Sequence, residues 1–268
     1  MGLFEKKYCD FCGEKIGLLG NRKLEDGNMC KKCAGKLSPW FNERRHSTKS
    51  DIQAQLDYRE KNRDFVASFC ATRTIGKRTK LLIDDNAKKF IVTSASNILD
   101  ANPDVLDFSQ AQGCELEINE DRRELKQKDA NGNYVSYNPP RYEYSYDFSA
   151  KIRVSSPFFD EMNFDISDGY ITTGEQPMNA NANTVPGGWN IHSSASDGYQ
   201  TNEYYECVNI GNEIKDAVEK MRAGGATETK TEPSPAAQTA SGPVKCPACG
   251  ASVIPDANGC CEYCGSKI

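Results

Sequence analysis

Eight of the twelve cysteines stand as four C-x-x-C pairs, two near each end of the chain. In "YCDFCGEKIGLLGNRKLEDGNMCKKC" the pairs are Cys9 with Cys12 and Cys30 with Cys33; in "CPACGASVIPDANGCCEYCG" they are Cys246 with Cys249 and Cys261 with Cys264. Two-residue spacing lets one tight turn aim both sulfurs at one ion. Four thiolates in tetrahedral array favour Zn2+, with iron as the other metal such a set takes. Thiolate fills every position of each set, so neither site keeps a place for water or substrate, and both read as structural. Gly13, Gly250 and Gly265 follow a pair and suit the positive φ that such turns need. The tail holds a fifth thiol: Cys261 completes the spacing to Cys264, whereas Cys260 is one residue off and reads as the spare. Segments this short cannot bury a useful core, and metal binding worth on the order of 10–16 kcal/mol is what folds them.

A length of 268 residues allows one medium domain plus small modules, and 38% hydrophobic with 26% charged residues suits a globular body. No apolar run approaches the ~18–20 residues of a membrane span. "MGLFEKKYC" turns charged at once, without the apolar region of a secretory leader. With paired C-x-x-C units, which are metal grammar rather than a disulfide framework, this places the chain in the reducing cytoplasm. The formal net charge of −5 divides as +5 over residues 1–50, −9 over 51–223 and −1 over 224–268. A basic head on an acidic body permits local contact with an anion but not a whole-protein nucleic-acid or membrane surface.

The elements that must carry these pairs follow from periodicity. Trp40 and Phe41 are expected to cover the first knot. Thr48 with Asp51, and Ser50 with Gln53, stand at capping-box spacing and start a helix over about 50–70. Its first half is polar apart from Ile52 and Leu56, and its second half carries Phe65, Val66, Phe69 and Cys70, so it reads as a connector docking at its far end. "TKLLIDDNAKKFIVT" gives two strands around a turn. In "RYEYSYDFSAKIRV", residues 141–154, one parity holds Tyr142, Tyr144, Tyr146, Phe148, Ala150, Ile152 and Val154, the mark of an antiparallel strand with one wet face. "CELEI" and "FFDEMNFDI" alternate too, and "DANGN" supplies a turn. Residues 168–200 read as a long loop with room for one short strand. Cys207, Gly211, Ile214, Val218 and Met221 make one stripe of a closing helix.

The expected fold class is therefore α+β and multi-domain: an N-terminal four-cysteine ribbon (1–46), a connector helix (47–70), an antiparallel sheet or partly open barrel with a C-terminal helix (71–223), a disordered linker (224–243) and a C-terminal four-cysteine ribbon (244–268) tethered as a separate module.

The stretch "CDFCGEKIGLLGNRKLEDGNMCKKCAGKLSPWF" followed by "RRHSTKSDI" resembles a bacterial family filed as a domain of unknown function. The resemblance implies a small zinc ribbon with Cys9, Cys12, Cys30 and Cys33 as ligands. It also implies a middle domain similar to the pleckstrin-homology fold and a second ribbon, and it brings no activity. The tail is similar to the common zinc-ribbon class.

These readings point to a non-enzymatic adaptor with two structural Zn2+ ions that binds protein partners. One alternative is nucleic-acid binding through Lys15, Arg22, Lys23, Lys31, Lys32, Arg44 and Arg45. Another is lipid contact through "GKRTK" at 76–80, against which the acidic body speaks. Enzyme motifs are missing: His46 and His192 lie in no nucleophile or general-base pattern, and no phosphate loop appears. Cys70, Cys114 and Cys207 read as buried small hydrophobes.

Overall fold

The computed structural model describes residues 6–177, 187–192, 201–225, 244–256 and 259–268. The first knot is built around a hairpin, β1 (Asn21–Lys23) and β2 (Asn28–Cys30), followed by one turn of helix, α1 (Lys31–Ala34). Leu24 and Met29 are fully buried at its centre.

Helix α2 (Lys49–Ser68) starts where the capping box predicts: Asp51 N donates to Thr48 Oγ1 at 3.3 Å, and Thr48 N donates to Asp51 Oδ2 at 2.9 Å. It does more than dock at its far end. Ile52 joins the core of the first knot, with Leu56 packed against it, and Val66 joins a separate core with Phe69, Leu82, Ile91 and Ile98. Phe65, expected to dock, is 45% exposed. Between the two ends the buried stripe is polar: Gln55, Arg59 and Asn62. Burying these groups requires partners: Gln55 Oε1 accepts from Ser38 N of the knot at 3.3 Å, and for Arg59 and Asn62 a short helix, α3 (Ile98–Ala101), with the loop after it supplies them. Arg59 Nη1 donates to Asp104 Oδ1 at 2.9 Å, and Nη2 donates to the Asn102 carbonyl. Asn62 Nδ2 donates to Asn102 Oδ1 and to the Pro103 carbonyl, and Asn62 Oδ1 accepts from Val105 N. From the knot, Ser38 Oγ donates to Asp104 Oδ2 at 2.8 Å.

One sheet runs β3 (Arg73–Ile75), β4 (Lys80–Asp84), β5 (Lys89–Thr93) and β6 (Leu106–Asp107), all antiparallel. It is covered on both faces. Leu81, Ile83, Phe90 and Val92 enter the main core, while Leu82 and Ile91 face the side of α2 and α3. That is why β4 and β5 read as continuous apolar runs. The second sheet has order β10-β8-β7-β11, with β9 also on β8: β7 (Ala111–Lys128), β8 (Tyr134–Val154), β9 (Glu161–Asp165), β10 (Ile171–Pro177) and β11 (Asn190–His192). Strand β8 extends seven residues before the expected start, since the Asp129–Asn133 turn continues straight into it. Its predicted parity is the buried one from Tyr144 to Val154. Among its described residues the stretch 168–200 holds two strands rather than one, and β11 runs parallel to β7. Residues 178–186 and 193–200 of that stretch lie outside the described residues.

Of the two expected forms, sheet or partly open barrel, the structure has the sheet: the two sheets stay open and do not close into a barrel. Helix α4 (Asn202–Gly225) seals the core between them, with Cys207, Ile214, Val218 and Met221 buried along the predicted stripe. Gly211 lies on that stripe because Trp189 packs against it: a Cβ there would stand 2.3 Å from the indole ring. Trp189 then meets Phe148 edge-on at 5.8 Å, and Tyr204 does the same to Phe148 and Tyr146. Trp40, expected on the first knot, packs against this main core instead, while Phe41 stays with the knot.

The expected linker lies outside the described residues from 226 to 243. Beyond it, β12 (Val244–Lys245) and β13 (Ser252–Val253) form the hairpin of the second knot. Rather than hanging free, this knot packs on the body. Ala71 N donates to the Gly265 carbonyl at 2.7 Å, Lys267 N to the Ala71 carbonyl at 3.1 Å, and Ile98 N to the Tyr263 carbonyl at 3.3 Å. A disulfide joins Cys70 to Cys260, so Cys70 is not the inert small hydrophobe its helical setting suggested.

Candidate metal centres

Both knots repeat one local device. In the turn after Cys9, Gly13 N donates to the Cys9 carbonyl and Cys9 N to the Glu14 carbonyl, both at 2.9 Å. The same two bonds recur after Cys246, through Gly250 and Ala251, and after Cys261, through Gly265 and Ser266, all at 2.8 Å. Each such turn closes through a glycine with φ between 70° and 75°, a conformation costly for any residue with a Cβ. Gly265 has a second constraint, because a Cβ there would stand 2.6 Å from Ile98 Cδ1.

The fourth pair is built differently. Cys30 ends β2 and is the N-cap of α1, its Sγ accepting from Cys33 N at 3.3 Å. The second knot therefore presents two like turns to its sulfurs, and the first presents one turn and one helix start.

In each knot the four sulfurs lie within 4.8 Å of one another, the arrangement of Cys9, Cys12, Cys30 and Cys33 and of Cys246, Cys249, Cys261 and Cys264. Adjacent contacts are 3.7 Å for Cys12 to Cys30, 3.6 Å for Cys246 to Cys264 and 3.7 Å for Cys249 to Cys261. Sulfurs bound at ~2.3 Å around one tetrahedral ion stand a little under 4 Å apart, so the spacing fits a shared metal. Backbone N–H groups favour thiolate before any ion arrives. Burial disfavours the Cys9 anion, but the N–H groups of Cys30, Phe11 and Cys12 outweigh it and bring the pKa to about 6. Cys246 is brought to about 7 in the same way, by Cys249 and Ala248 N–H against burial. Burial and the neighbouring sulfurs push Cys249 up to about 12. A cation held by the four sulfurs would resolve that conflict by neutralising the crowded thiolates.

Residues 7–55 match the model of a domain of unknown function, DUF4428. No curated protein and no solved structure matches the chain. The matched segment is the first knot together with the opening turns of α2, and the contacts show why it extends past the last cysteine. Asp26 Oδ1 accepts from Lys49 N at 2.8 Å, Glu25 N donates to the Ser47 carbonyl at 3.0 Å, and Ile52 completes the core.

The other predicted site residues scatter. Of the basic set, Arg44 Nη1 donates to the Lys23 carbonyl, and the charges of Arg22 and Arg45 add to burial in lowering the Arg44 pKa, so these four residues gather at β1. Lys32 instead faces Glu14 at 3.8 Å. His46 is exposed, apart from the sulfurs of the first knot. Cys207 is buried as expected, whereas Cys114 is only half-buried against the main core; desolvation raises them to about 11 and about 12. Beside the first knot, a cleft of about 470 Å3 is lined by Cys12, Cys33, Asp57, Glu60 and Arg63, with charges of both signs. Sequence reasoning missed two pairings, Cys70 with Cys260 and Arg59 with Asp104. The first had a signal in the odd fifth thiol of the tail. The second had none, because an Arg in a polar helix gives no indication of its partner.

Proposed function

We propose that the chain is a zinc-binding adaptor in which two structural ions hold two small knots in shape for contact with protein partners. The observation that carries the reading is the convergence of four sulfurs within 4.8 Å in each knot. With all four donors thiolate, a tetrahedral ion has no open position, so the chemistry on offer is folding rather than catalysis. A contact surface is available at the tip of the first knot. Leu18 and Leu19 are 81% and 90% exposed there, and Arg22 Nη1 donates to the Leu19 carbonyl. Elemental analysis of the purified chain tests the metal assignment, with about two zinc ions per chain expected; one zinc, or mostly iron, overturns it.

Nucleic-acid binding is the second reading, supported by the gathering of Arg22, Lys23, Arg44 and Arg45 at β1. Its test is the salt dependence of binding to a generic duplex. Replacing Arg45 by Ala should reduce the slope of log K against log salt by about 1 if that side chain neutralises a phosphate.

A further inference from the structure

We propose that Cys70 and Cys260 form a redox latch that fixes the second knot to the body when oxidised and lets it leave when reduced. The inference rests on the reading that this knot holds a metal ion. Five cysteines crowd into the tail, and the sulfurs of Cys246, Cys249, Cys261 and Cys264 form the cluster. Metal would keep those four as bound thiolates, which leaves Cys260 the one sulfur of the tail available to pair. The backbone turns it outward: Cys260 N donates to Asp256 Oδ1 at 2.9 Å, and the residue bridges to Lys267 on the body-facing edge.

Cys70 meets it from the end of α2, held by its N–H to Asp84 Oδ2 at 3.0 Å. The two Cα atoms are 5.7 Å apart, inside the range that a disulfide spans without backbone movement. Both residues are buried, at 7% and 1% exposure.

Among the described residues the two cores do not merge. The small core of the second knot, Cys246, Val253, Cys261 and Cys264, stays separate from the core of Phe69, Ala71 and Ile98 that it covers. Three backbone hydrogen bonds and the Gly265–Ile98 approach are the other ties described above. Residues 226–243 contain no Leu, Ile, Val, Met or aromatic side chain. Without the covalent link, docking becomes an intramolecular equilibrium set by the remaining non-covalent contacts and the connecting chain.

The step balances as thiol–disulfide exchange with a low-molecular-weight disulfide as oxidant. One cysteine thiolate attacks it and releases one small thiol. The second attacks the resulting mixed disulfide, forming the Cys70–Cys260 bond and releasing the other thiol. Two electrons and two protons pass to the small disulfide. A small dithiol reverses both steps and closes its own disulfide.

Hydrogen exchange on the full zinc-loaded chain tests the latch, after equilibration with a small disulfide or with a trialkylphosphine. Oxidised protein should yield a Cys70–Cys260 cross-linked peptide. Exchange at the Ala71, Ile98 and Lys267 amides should quicken at least tenfold on reduction. Cys70→Ser and Cys260→Ser should exchange at the fast rate in both states, with Leu82 and Ile91 protection unchanged as the sign of an intact body. Zinc content is measured alongside. Absence of the cross-link in zinc-loaded oxidised protein, or slow Ala71 exchange in either folded variant, overturns the latch. Loss of one zinc in Cys260→Ser also overturns it by making Cys260 a ligand, whereas wild-type protein with fewer than two zinc ions defeats the metal reading itself.

Discussion

Replacing Arg59 by Met should be among the most damaging single changes outside the two knots. The Arg59 and Asp104 side chains are 7% and 0% exposed, and their contact at 2.9 Å is one bond of a network that also reaches Ser38, Asn102 and the Lys36 carbonyl. Removing one member of a buried pair leaves the other charged, desolvated and only partly bonded, which costs about 3–5 kcal/mol. Against a domain stability of roughly 5–15 kcal/mol, that is about a fifth or more of the total. Asp104→Asn added to Arg59→Met removes the stranded charge, so the double variant should be more stable than the sum of the singles predicts, by about 2 kcal/mol. The deficit should also depend on pH. Burial pushes the Asp104 carboxyl above the usual range, against the opposing pull of Arg59 and Ser38. A carboxyl raised in the folded state contributes its full stabilising share below the unfolded pKa of about 3.9 and loses it as pH rises through the folded value. Without Arg59 the folded value climbs further, so the deficit of Arg59→Met should widen from pH 4 to pH 7. Urea unfolding of the zinc-loaded chain, followed by circular dichroism, measures all three. Single-variant losses that add within about 0.5 kcal/mol, or a deficit that shrinks towards neutral pH, would refute the argument.

Cys261→Ser should bind one zinc fewer than wild type while Cys260→Ser keeps the full number, as metal analysis of each purified chain would show. Gly211→Ala places a Cβ 2.3 Å from the Trp189 ring; the overpacking of about 1–3 kcal/mol outweighs a helix-propensity gain of about 1 kcal/mol, and red-shifted tryptophan emission with a lowered Tm is the expected result. Asp85 is held at about 2 by its two-bond contact with Arg73. Because a lowered carboxyl stabilises above its unfolded pKa and loses that share as pH falls through about 2, Asp85→Asn should be under about 1 kcal/mol less stable than wild type at pH 7, with the gap closing on acidification in paired denaturant titrations.

How far the fold was legible depended on whether a local rule sufficed. The parity of β8, the Thr48 cap, the stripe of α4 and the glycines after three cysteine pairs all follow from periods or dihedral demands confined to a few residues. The helix over 49–68 was legible as a helix but not in its burial, because Gln55, Arg59 and Asn62 find their partners forty or more residues away or in the first knot. The parallel pairing of β11 with β7 joins residues more than seventy positions apart, and no pattern in either strand announces it. The four-cysteine sets were visible because spacing alone states the chemistry. The Cys70–Cys260 pairing spans 190 positions, and only the surplus of one sulfur hinted that something distant had to receive it.

The sharing of α2 between two cores sets what can be moved between proteins. A cut at the end of the first knot, after residue 46, would strip Ile52 of its packing and remove Asp26 from the Lys49 amide, leaving the body with a helix whose opening turns have lost their lining. A cut near residue 55 keeps Ile52 with the knot but takes away Leu56, which packs on the knot's core, and Arg59, which bonds the Lys36 carbonyl as well as the body. The transferable piece thus ends inside a helix, at a place where any new host must continue the same rod. Recombination that respects this seam can exchange what lies downstream. Recombination at the loop before it yields two halves that each expose a groove the other was made to fill.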